Sequence, residues 1–129
     1  MDINKDSIRI AVVDDDPLIL SVFSSLMKQA DYYADFFPSS APALRAIEAH
    51  PGRYDLLVVD IQVPDGDGVT FAKKVRALFP EVPIMFMTGG APEEKQREAR
   101  ALGRTAFLNK PFPLLDKLGE TIQKFVSGK

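Results

Sequence analysis

The chain has 129 residues, 46% of them hydrophobic, which suits one globular core and leaves no length for a second domain. Its 16 basic and 18 acidic side chains give a formal charge of −2, without the basic excess of a nucleic-acid binder, and the lack of cysteine excludes a disulfide framework, a thiolate metal site and thiol catalysis. No stretch approaches the roughly 18 apolar residues of a membrane span, and the first apolar run is short, interrupted by Arg9 and followed by acids, unlike a signal peptide. The expectation is a cytoplasmic protein with no membrane insertion and no direct contact with nucleic acid.

In chain order, strand and helix patterns alternate five times. Ile8 to Val13 is nearly continuous in apolar residues, as in a strand covered on both faces of a parallel sheet, and it runs into Asp14, Asp15 and Asp16. Asp16 before Pro17 reads as the cap of a first helix with Ile19, Val22, Phe23 and Leu26 on one face. Tyr32 to Phe37 contains Asp35 and suits an edge strand beside the first. A helix opening near Ser40 and Pro42 stops at Pro51 and Gly52, before a second buried run, Leu56 to Val59, that ends on Asp60. Past Pro64, Asp67 or Gly68 opens a third helix, with Val69, Ala72, Val75 and Phe79 at helical spacing and Pro80 as its stop. Ile84 to Met87 runs into Thr88, Gly89 and Gly90; a charged helix spans Pro92 to Arg100 and stops by Gly103. Ala106 to Leu108 runs into Asn109 and Lys110, and Leu115, Leu118, Ile122 and Phe125 mark the last helix after Pro113. The order is (βα)5 in the α/β class, a doubly wound parallel sheet with right-handed crossovers and helices on both faces.

In such a sheet the polar residues that close the strands emerge on one rim, where ligands bind. Asp16 suffices as a helix cap, so Asp14 and Asp15 have no structural need for charge, and their mutual repulsion calls for a cation. Oxygen donors beside a phosphate position suit Mg²⁺. Asp60 can attack phosphorus to form an acyl phosphate if Lys110 and Mg²⁺ offset the repulsion between anions. Gly89 and Gly90 make the loop after Thr88 mobile and leave backbone amides for an anion. The charged helix has little apolar surface, so it is expected to be weakly anchored, with local pairs such as Glu93 with Arg97, and to move on phosphorylation.

Val12-Val13-Asp14-Asp15, Asp60 with Pro64 and Gly68, Thr88-Gly89 and Lys110-Pro111-Phe112, in this order, resemble the receiver domain of two-component response regulators, a CheY-like, flavodoxin-like fold. The resemblance implies one receiver domain over residues 1–129, with its core at about 8–126, and strand order 2-1-3-4-5. It implies Asp60 as phosphoacceptor, Mg²⁺ bound by Asp15 and Asp60, by Asp14 through water and by the backbone carbonyl of Gln62, and phosphoryl oxygens bound by Thr88 and Lys110. Thr88 and Phe107 would form the switch, with packing doing what a tyrosine hydroxyl often does at position 107, and Gln62 and Gly90 would tune phosphoryl lifetime. The implied partners are a sensor histidine kinase or histidine phosphotransfer protein and an output protein on the face of helix 4, strand 5 and helix 5, with homodimerisation on phosphorylation an open outcome. Such a domain is a switch with self-catalysed phosphotransfer and autodephosphorylation, not a turnover enzyme.

Other readings fare worse on the residues. An aspartate-nucleophile phosphohydrolase needs a second acid two residues after Asp60, where Gln62 stands. An FMN site needs a hydroxyl- and glycine-rich first loop, and a Ca²⁺ loop at Asp65-Gly66-Asp67-Gly68 lacks its later oxygen ligands. His50, the single histidine, lies at the far end of the second helix from Asp60. A receiver fragment of a longer regulator, continuing beyond Ser127-Gly128-Lys129 into an output domain, is the alternative within signalling.

Overall fold

The computed structural model describes residues 8–29, 32–63, 66–109 and 115–127. Five strands, β1 (Ile8–Val13), β2 (Tyr32–Phe37), β3 (Leu56–Asp60), β4 (Ile84–Thr88) and β5 (Thr105–Asn109), form one parallel sheet of order 2-1-3-4-5. They alternate with helices α1 (Pro17–Gln29), α2 (Ser40–Ala49), α3 (Gly68–Leu78), α4 (Glu93–Arg100) and α5 (Leu115–Val126). β1, β3 and β4 are interior, and β2 lies at the edge beside β1 as its mixed composition requires.

Alternation along the strands divides the core in two. Ile10, Val12, Leu56, Val58, Met85 and Met87 pack with Ile19 and Phe23 of α1 and Ile122 of α5. Their neighbours Ala11, Val13, Leu57, Val59, Ile84 and Phe86 pack on the opposite face with Ala43 and Ile47 of α2, Val69, Ala72 and Val75 of α3 and Ala99 of α4. Burial on both faces is why these runs carry no polar residue before their carboxyl ends. No helix among the described residues is long and apolar enough to cross a membrane.

Helix boundaries follow local chemistry. Asp16 Oδ1 accepts the Leu18 amide at 3.0 Å, and the Asp67 carboxylate caps α3 by accepting the Val69 and Thr70 amides at 2.7 and 3.1 Å. α2 and α3 stop at His50 and Phe79, each one residue before a proline. Between β3 and α3 the chain makes a two-residue antiparallel ladder, Gln62–Val63 with Gly66–Asp67, where the sequence predicts only a loop. Pro64 lies outside the described residues.

Asp35 sits within β2 because two groups meet its charge. The Tyr54 hydroxyl donates to Asp35 Oδ2 at 2.6 Å, and Arg53 Nε stands 3.6 Å from the same oxygen. Burial, then the bond to Asp35 and its negative charge, push the Tyr54 hydroxyl well above its ordinary value of 10.0. The folded chain therefore holds this proton more tightly than the unfolded chain. Its contribution to stability is complete below the unfolded pKa of about 10 and is lost as pH rises above it. Urea unfolding of the wild type is expected to weaken across that alkaline range, and Tyr54→Phe to weaken less steeply from a neutral-pH starting point lower by about 1–2 kcal/mol. Parallel pH profiles for the two proteins would refute this assignment.

Candidate functional site

Register places the site. Val13 pairs with Val59 and Asp60 with Met87, so Asp14 and Asp60 close adjacent strands and Thr88 stands one residue further on β4. Thr88 in turn pairs with Asn109 at the end of β5. Asp14, Asp60 and Thr88 therefore share the carboxyl rim, with roughly 5 Å between neighbouring strands. Lys110 follows Asn109 in the chain and, like Pro111, Phe112 and Pro113, lies outside the described residues.

The two carboxylates are set differently. Asp14 is only 2% exposed; its amide donates to the Phe37 carbonyl at 3.0 Å, and its Oδ1 accepts the Asp16 amide at 3.0 Å. Asp60 is partly exposed, and its Oδ1 accepts the Gln62 amide at 3.0 Å, which orients the carboxylate. Asp15 and Gln62 are exposed at the rim. Among the described residues no three His, Asp or Glu side chains stand together as a metal site of their own. Mg²⁺ does not need three, since one or two carboxylates with water, carbonyl or phosphate oxygens suffice. A carboxylate buried as deeply as Asp14, beside a second one on the next strand, is a donor set that fits a hard divalent cation.

Thr88 is 4% exposed and folds over its own loop: Oγ1 accepts the Gly90 amide at 3.1 Å and the Ala91 amide at 2.8 Å. The Gly90 amide is thus taken by Thr88, which corrects the expectation for Gly90 that its amide is left for an anion. The side-chain oxygen competes successfully for the amides two and three residues on, as Ser and Thr hydroxyls do in tight turns. Phe107 is partly buried on β5, its ring stacked on Phe86 at 5.7 Å and covered by the Arg100 guanidinium at 5.7 Å from the ring centroid. The ring is thus in contact with both the core and a cation.

Three features escaped sequence reasoning. Gly68 is packed so closely on β3 that a Cβ there would overlap the Asp60 carbonyl oxygen and stand 2.9 Å from Val59 Cγ1; its amide donates to the Ile61 carbonyl at 2.7 Å. The expected Glu93 to Arg97 pairing is replaced by Arg100 with Glu93 at 2.8 Å. The apolar anchoring of α4 is thin, as expected, but ion pairs add to it: Lys95 reaches Asp67 at 2.8 Å, and Glu98 reaches Lys73 at 3.0 Å. Burial alone would raise the Asp67 carboxyl, yet the Lys95 ammonium and the Thr70 and Val69 amides outweigh it and hold the group below its ordinary value.

A doubly wound five-stranded parallel sheet of order 2-1-3-4-5, with its polar crevice at the carboxyl rim, is the arrangement shared by flavodoxin-like and CheY-like proteins. The response regulator receiver domain model matches residues 10–123, and the chain belongs to that family of two-component systems. It is 30% identical over 112 residues to response regulator receiver protein CpdR of Brucella abortus (strain 2308), across 87% of this chain and 92% of the relative. It is also 30% identical over 126 residues to transcriptional regulatory protein RprY of Bacteroides fragilis (strain YCH46), across 96% of this chain and 52% of the relative, so it spans about half the length of RprY. Among solved structures, the CheY-like receiver domain protein of Methanospirillum hungatei JF-1 is similar with a TM-score of 0.85 and 26% identity, over 95% of this chain and 96% of the other.

Proposed function

We propose that this receiver domain takes a phosphoryl group from a phosphohistidine partner, a sensor histidine kinase or histidine phosphotransfer protein, onto Asp60, and passes the change on by protein contact in the cytoplasm. The observation that carries the proposal is the pair of neighbouring strand ends, with buried Asp14 beside the oriented, accessible carboxylate of Asp60. The site has a nucleophile and no donor of its own, because His50 caps the far end of α2.

The Asp60 carboxylate oxygen forms a bond to phosphorus as the phosphorus–nitrogen bond of the donor breaks, its electron pair leaving on the imidazole. Water later cleaves the acyl phosphate, returning the carboxylate and inorganic phosphate. Asp15, Asp60 and the Gln62 carbonyl, with Asp14 acting through water, would hold Mg²⁺, which when bound neutralises charge on the phosphoryl oxygens. Asp14 keeps the site anionic enough to need that cation, and the Gln62 amide keeps the nucleophile turned to the rim. Thr88, which accepts two amides, still has a proton to donate to a phosphoryl oxygen. Lys110 would supply a further positive charge. Phe107 would turn as Thr88 moves, presenting the change on the face of α4, β5 and α5 to an output protein or a second copy, and Gln62 and Gly90 would set how fast water attacks.

Incubation with acetyl phosphate and Mg²⁺, followed by peptide mass analysis, is expected to place one hydroxylamine-labile phosphoryl group on the peptide carrying Asp60. Chelation of the metal or Asp60→Ala should abolish it. A label retained in Asp60→Ala overturns the proposal.

A further inference from the structure

Helix α4 is seated largely by charge. Ala99 is the buried residue it contributes, and its links to α3 form a chain: Asp67 Oδ2 to Lys95 Nζ at 2.8 Å, Lys95 Nζ to Glu98 Oε2 at 3.4 Å, and Glu98 Oε1 to Lys73 Nζ at 3.0 Å. The first member of this chain is the cap of α3 and the covalent neighbour of Gly68. Gly68 lies hard against the Asp60 carbonyl, with its amide bonded to Ile61. A shift of the backbone at Asp60 has no slack to absorb it at Gly68, so it moves Asp67 and with it the carboxylate that holds Lys95.

We propose that Asp67 and Lys95 form a second route from Asp60 to α4, separate from Thr88 and Phe107: a charged tether between the phosphoacceptor loop and the helix, loosened or tightened when Asp60 is modified. The proposal rests on the phosphoacceptor reading above. It differs from a packing route in kind, because contacts between partly exposed charges weaken with salt while buried apolar contacts do not. It also makes α4 sensitive to a residue that touches neither the phosphoryl group nor the switch aromatic.

The test uses hydrogen exchange of the α4 amides. In the unmodified protein, Lys95→Met and Asp67→Asn, which keeps a capping oxygen but removes the charge, should each raise α4 exchange roughly fivefold. High salt should do the same in the wild type and add less in either variant, where the pairs of Glu98 with Lys73 and Glu93 with Arg100 remain for it to weaken. Arg97→Met, which removes a cation of α4 that has no ion pair among the described residues, should leave exchange unchanged. After acetyl phosphate and Mg²⁺, the wild type should change its α4 exchange, while the two variants, equally phosphorylated by mass, should change it by less than half as much. Unaltered α4 exchange in unmodified Lys95→Met overturns the tether whatever happens at Asp60. An equal phosphorylation response in wild type and variants overturns the route while leaving the phosphoacceptor reading intact. Failure of the wild type to take up label overturns that reading and the route with it.

Discussion

Gly68→Ala is expected to slow phosphoryl uptake about a hundredfold and to destabilise the fold by about 1–3 kcal/mol. In a solvent-exposed helix the same change is mildly favourable, because alanine has the higher helix propensity. The expected loss therefore comes from the contact. The added methyl group would overlap the Asp60 carbonyl oxygen and crowd Val59 Cγ1 at 2.9 Å, and the atom it meets is backbone, with no rotamer to swing aside. The start of α3 must back away by roughly 1 Å, stretching the Gly68 to Ile61 bond of 2.7 Å and moving Asp60 relative to Asp14, which is the scale of misplacement that costs two orders of magnitude in rate. Rates from acetyl phosphate labelling, followed by mass, together with urea unfolding, check both halves. A variant as stable and as quickly labelled as the wild type would refute the close-packing account.

Arg76→Leu should cost about 3 kcal/mol and lower the melting temperature by roughly 10 °C. The guanidinium of Arg76 is the joint at the end of α3. Its Nη1 donates to the carbonyls of Phe79, Pro80 and Val82 at 3.1, 3.1 and 2.6 Å, and its Nη2 donates to Gly103 at 2.7 Å. That last contact holds a loop whose successive residues Gly103 and Arg104 have φ of 74° and 51°, a conformation a side chain at position 104 resists. Burial is the largest influence on Arg76 and lowers its pKa, Glu81 partly opposes it and Arg104 adds to it, yet an arginine stays charged throughout the accessible range. Leucine fills the space but leaves the carbonyls to find water. Arg76→Lys should recover only part of the loss, since one ammonium cannot serve both sides of a fork. Thermal unfolding of the three proteins decides it; a lysine variant equal to the wild type would show that charge, not geometry, is what the joint needs.

The central strands were legible because solvent does not reach their apolar runs. A run such as Leu56 to Val59 or Ile84 to Met87 can stay apolar without interruption only where helices cover both sides, and the first polar residue after it then marks the rim. Helix ends were legible where proline, glycine or an aspartate governs the backbone locally, as at Asp16, Asp67 and Pro80. Other features have no periodic trace. A ladder of two residues per strand at Gln62–Val63 is too short to show alternation, and the pairing of Glu93 with Arg100 rather than Arg97 depends on where Phe107 draws the guanidinium. The hold of Thr88 on Gly90 and Ala91 is a choice between equal local partners. Gly68 looked like a helix opener, and its contact with Asp60 exists only once β3 and α3 are brought together.

The alternation that divides the core also sorts the rim. Asp60 falls on the strand parity of Leu56 and Val58, whose layer is shared with α1 and α5, whereas Thr88 and Phe107 fall on the parity of Ile84 and Phe86, toward α2, α3 and α4. The sheet thus stands between the layer of the Asp60 parity and the layer that holds Phe107, and the face of α4, β5 and α5 draws on both, since α5 packs on the Asp60 side. If Asp60 is the phosphoacceptor, a change begun in one layer reaches the other at the strand ends, where Asp60 and Thr88 share the rim, and not through the middle of the sheet.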